Sequence, residues 1–99
     1  MSRIVTYANT PEQCFCQIQL DSGERILISI AQTGIAIFEL DSTGLVPTST
    51  LFEWGIEDIG VAIRLFADFD DPQKPPLDAM RDALIRCPSI AAISDLCTS

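Results

Sequence analysis

Between Cys14 and Leu40 the chain carries three short runs rich in β-branched and aromatic residues, separated only by Asp21-Ser22-Gly23 and Gln32-Thr33-Gly34. Connections this short turn a strand back antiparallel on its neighbour, with glycine tolerating positive φ and the polar residues bonding the turn backbone. In the first run, over 14–20, Cys14, Cys16, Ile18 and Leu20 alternate with Phe15, Gln17 and Gln19, the period of a half-buried strand. In the second, over 24–31, Ile26, Ile28 and Ile30 face the core. The third, over 35–40, sets Ile35 and Ile37 on one face and Ala36, Phe38 and Leu40 on the other, so both sides of this meander are expected to be partly covered.

Asp41-Ser42-Thr43-Gly44 supplies the next turn. A fourth strand is expected over 46–54, where Thr48, Thr50, Phe52 and Trp54 alternate with Ser49, Leu51 and Glu53, and Pro47 restricts it to a sheet edge. The first dozen residues show no comparable pattern and are expected to be loosely ordered. From Ile56 the period lengthens. A helix over 56–68 places Glu57 and Asp58 near the positive end of its dipole and lines up Ile56, Ile59, Ile63 and Phe66. A strand over 61–69 is the competing period, and Gly60 costs such a helix about 1 kcal/mol.

Residues 70–76 hold three prolines and form an exposed connector. A second helix over 77–87 carries Leu77, Met80, Leu84 and Cys87 on one stripe, with Asp82 and Arg86 spaced to pair, and Pro88 ends it. Ser89 then caps a last helix over 89–97 bearing Ile90, Ile93, Leu96 and Cys97. Strands before helices make this an α+β chain: an antiparallel β-meander of about four strands, then two or three helices packed on one face.

A length of 99 residues suits one domain. By surface scaling, folding buries roughly 65% of the unfolded surface, enough to fold without a metal or disulfide staple. An apolar fraction of 47% is high for so small a globule and leaves apolar surface for a partner. Six basic residues against fourteen acids, a net charge of −8, oppose direct nucleic-acid binding, which depends on basic residues releasing counterions. No apolar run is long enough to span a membrane, and Met1 to Gln13 lacks the apolar core of an export signal. The expected compartment is the cytoplasm, with the four cysteines reduced.

The chain has no histidine. That removes the commonest general base, the Ser-His and Cys-His pairs and imidazole metal ligands. Lys74, the sole lysine, lies in the proline-rich connector, away from an apolar pocket that would lower its pKa. No glycine-rich phosphate cradle is present. An enzyme is not expected, nor is a cofactor.

Cys14, Cys16, Cys87 and Cys97 are the candidate metal ligands. C-x-C within a strand repeats one face instead of forming the C-x₂₋₄-C knuckle of a zinc site, so core packing is the stronger reading. Asp68-Phe69-Asp70-Asp71 begins like a calcium loop, but Pro72, Gln73 and Ala79 occupy its fifth, sixth and twelfth positions. The candidate interaction surface combines Glu57, Asp58, Asp68, Asp70 and Asp71 with the aromatics Phe52, Trp54 and Phe66, as suits a basic, partly apolar protein partner. The expected function is therefore a protein–protein interaction module, a homodimer included. The alternatives are a small-molecule domain with its pocket between sheet and helices, and a cysteine-based metal or redox site.

Overall fold

The computed structural model describes residues 1–98. Five strands, β1 (Arg3–Asn9), β2 (Cys14–Gln19), β3 (Arg25–Ala31), β4 (Gly34–Leu40) and β5 (Pro47–Gly55), pair antiparallel in the order in which they occur. A single 3-10 turn, Ile56–Asp58, then leads into α1 (Ile59–Phe66), α2 (Pro76–Leu84) and α3 (Ile90–Thr98). The architecture is α+β, with five strands where four were expected.

The additional strand is β1. Its pairing to β2 shifts register between Ile4 and Thr6, and most of its residues are exposed. An extra residue at Val5 breaks the period of two, which hides the strand from pattern reading. Ser2 pins its start: the buried hydroxyl donates to the Cys87 carbonyl at 3.0 Å and accepts from the Asp21 N–H at 3.2 Å.

Directly opposed residues of an antiparallel pair share a face. Cys16, Ile28 and Ile37 stand in one row across β2, β3 and β4, with Ile18 and Ile26 beside them, and all are fully buried. The helices cover this face with Ala62, Phe66, Leu77, Met80, Leu84 and Ile93. In α1 the inward residues are Ile59, Ala62 and Phe66, whereas Ile63, expected on the stripe, is 40% exposed and Ile56 is 70% exposed. Alanine is the side chain small enough to bring α1 close to β4 and β5.

Helix α2 follows its expected stripe through Leu77, Met80 and Leu84, ends there short of the expected 87 so that Cys87 lies beyond it, and begins on Pro76, whose missing N–H costs nothing in a first turn. Ser89 accepts from the Ala92 N–H through its hydroxyl at 3.4 Å, capping α3 as its sequence implies. Asp82, spaced to meet Arg86, instead accepts from Lys74 at 2.8 Å and from Arg81 at 2.9 Å. Among the described residues no helix is long and apolar enough to cross a membrane.

Candidate interaction face

The three aromatics expected at a contact surface meet one another at the edge of the core. Phe52 and Trp54 stack with ring centroids 6.0 Å apart, and Phe66 meets Trp54 edge-on at 5.9 Å. Phe66 is 5% exposed, so its ring serves the packing of α1 on β5. Of the acids grouped with them, Glu57, Asp58, Asp70 and Asp71 are exposed, while Asp68 is half-buried and internally bonded. Its carboxylate accepts from Lys74 Nζ at 2.7 Å and from the N–H groups of Asp70 and Asp71 at 2.9 and 3.2 Å.

Lys74 is accordingly a staple. Its hydrogen bonds to Asp68 and Asp82 push its pKa up, the reverse of what a nucleophilic lysine needs. The same network reaches β1: Arg81 contacts Asp82 and Asp78 and lies 5.2 Å from the centroid of the Tyr7 ring, whose hydroxyl donates to Asp78. These charges fasten α2 to the connector and to the edge strand.

Cys14 and Cys16 project from β2 toward the helices; Cys87 and Cys97 lie against the same core. Burial pushes the Cys16 and Cys97 thiols up to about 11 and raises those of Cys14 and Cys87. A thiol held protonated is a poor nucleophile and a poor ligand. Among the described residues, no group of three or more His, Cys, Asp or Glu side chains is placed to hold a metal ion. The space between sheet and helices is occupied by fully buried side chains, including Ile18, Ile26, Ile28, Leu77, Met80 and Leu84.

The helices leave the opposite face of the sheet bare. By register, Phe15 and Ser29 share a row with Ala36 and Glu53; Thr6, Gln17, Leu27, Phe38 and Thr50 form the next; Arg3, Gln19, Arg25, Leu40 and Pro47 form the last. Phe15, Leu27 and Phe38 are half-buried only by their sheet neighbours and by the turn that follows β4.

That turn is built with care for its position. The Asp41 carboxylate accepts from the Thr43 hydroxyl at 2.6 Å, the Thr43 N–H at 3.1 Å and the Leu45 N–H at 3.3 Å, and these bonds hold its pKa below the usual carboxylate value. Gly44 sits at φ +75°, where a Cβ would overlap the Gln17 amide nitrogen and lie 2.7 Å from Arg25 Nη1. Only glycine combines that backbone conformation with so close an approach. The turn thus lies down on the bare face, bounds a hollow of about 350 Å³ lined by Phe15, Gln17, Leu27, Ser29, Leu40, Gly44, Leu45 and Pro47, and holds out Leu45 and Val46, which are 82% and 55% exposed.

These residues were not singled out as a surface from the sequence, although the signal was there. Phe15 and Phe38 occupy the outward phase of their strands, and a sheet covered by helices on one face leaves that phase apolar without a partner. The chain matches no protein-family model, no curated protein and no solved structure. Surface chemistry alone therefore carries the functional reading.

Proposed function

We propose that this chain is a non-catalytic, cytoplasmic protein–protein interaction module whose contact surface is the bare face of its sheet. The observation that carries the reading is the apolar patch of Phe15, Leu27 and Phe38, on two adjacent rows of that face, bounded by a hollow and by the exposed Leu45-Val46 tip. Contact surfaces concentrate their energy in a few apolar anchors and the pockets that receive them, and this face offers both. The absence of histidine, the raised thiol pKa of Cys16 and the stapled Lys74 support a binding role over nucleophilic catalysis. A net charge of −8 favours a protein partner over nucleic acid.

The test is photo-crosslinking in living cells, with a benzophenone amino acid placed at Leu27 on the bare face or at Val61 on the outer side of α1. Adducts to protein that form from position 27 and not from position 61 are the expected result. Absence of any protein adduct at 27 would overturn the reading.

A further inference from the structure

The bare face also carries few acids. With the turn that lies on it, it holds Arg3 and Arg25, two of the six basic residues, and Asp41 and Glu53, two of the fourteen acids, for a local balance of zero that leaves all of the −8 on the rest. Two copies approaching through the acid-bearing connector and turns bring carboxylates together. Approaching through the bare face turns them outward, beyond the roughly 8 Å over which charge is felt at physiological salt.

The face is also large enough. Five strands about 4.8 Å apart and averaging about seven residues at about 3.3 Å each present roughly 550 Å² in projection, or roughly 1,100 Å² for a pair, just past the roughly 1,000 Å² that a specific interface must clear. The chain exposes 5951 Å². That is about 400 Å² more than scaling expects of a monomer of this mass.

We infer that the occupant of this face is a second copy of the chain, the two sheets stacking face to face with helices outermost on both sides. This deepens the interaction reading and rests on it. Stacked sheets sit about 10 Å apart with their inward side chains interdigitated, and a two-fold arrangement brings the central strand β3 of each copy nearest the axis. Leu27 then lies close to its counterpart, and Leu45 and Val46 are removed from water at the rim.

The test is light scattering over a range of concentrations on the reduced full chain and on two charge variants. Wild type and Val61→Glu are expected at twice the 10.8 kDa chain mass, while Leu27→Glu, which sets carboxylates against each other near the axis, weakens the dimer more than tenfold. A dimer that Leu27→Glu leaves intact would overturn the inference, as would a wild-type monomer at every concentration. Should Leu27→Glu fail to fold, benzophenone at position 27 in the otherwise unaltered chain gives the answer: adducts of twice the chain mass support the second copy, and their absence refutes it. Adducts from that position to a different protein alone would end the homodimer and preserve the interaction module. No adducts at all would end both.

Discussion

Gly60 is the second residue of α1, and nothing lies within 4 Å of the position its Cβ would occupy. The helix therefore carries the conformational cost of a glycine with no close packing in return. Replacing glycine by alanine in a helix interior gains about 0.8–1.0 kcal/mol. Part of that gain comes from the unfolded chain, which loses freedom when a methyl is added. Because Gly60 stands one residue inside the start of α1, Gly60→Ala is expected to stabilise the fold by roughly 0.7 kcal/mol. For a chain of this size that raises the melting temperature by roughly 4 °C. At a urea slope near 1.5 kcal/mol/M it moves the midpoint by roughly 0.5 M. Trp54, the single tryptophan, reports the transition, because its ring is held between Phe52 and Phe66 and is released on unfolding. An unchanged or lowered midpoint would refute the reasoning, since it would mean that residue 60 is not helical or that its side is covered.

Gly44→Ala forces a side chain into a left-handed conformation and displaces Gln17 and Arg25, so it should cost about 1–2 kcal/mol in the same assay while lifting the turn off the sheet. Leu84→Ala opens a cavity at a fully buried site and should cost about 3 kcal/mol, whereas Leu45→Ser, at an exposed tip, should stay within about 0.5 kcal/mol in the monomer. Stability should be flat from pH 5 to 8, where no histidine titrates, and should fall as pH rises from 9 toward 11. In that window the thiols of the unfolded chain ionise while the buried Cys16 and Cys97 keep their protons, so alkali favours unfolding. Thermal melts across pH check this, and a profile that rises above pH 9 would contradict it.

Strands β2 to β4 were legible because each keeps a strict period of two between glycine-bearing turns, and helices α2 and α3 because their stripes are bounded by prolines and a serine cap; β5 was legible as a strand, but its two register shifts against β4 turn Thr50 to the outer row while Phe52 and Trp54 face the core, so the expected single face of Thr48, Thr50, Phe52 and Trp54 does not form. Strand β1 was not, since its bulge at Val5 breaks the alternation and its exposure removes the apolar face that marks a strand. In α1 the period was readable and the phase was not. Hydrophobic weight favours Ile63 on the inner face, but the fully buried residue is Ala62 and Ile63 is 40% exposed. Aromatics set among acids look alike whether they anchor a partner or close a core, and only the placement of α1 on β5 separates the two. For the outer face the signal lay in Phe15, Leu27 and Phe38, whose alternation says which way they point. How many sides the helices cover was not written in any one strand.

The most direct test of the covered sheet face is nuclear magnetic resonance of the full chain with a soluble gadolinium chelate, comparing side-chain relaxation at low and high protein concentration. Leu27 and Phe38 are expected to relax strongly in dilute solution and to become shielded as concentration rises, with Val61 and Leu84 unchanged, the first exposed and the second buried throughout. Strong relaxation of Leu27 and Phe38 at every concentration would contradict it.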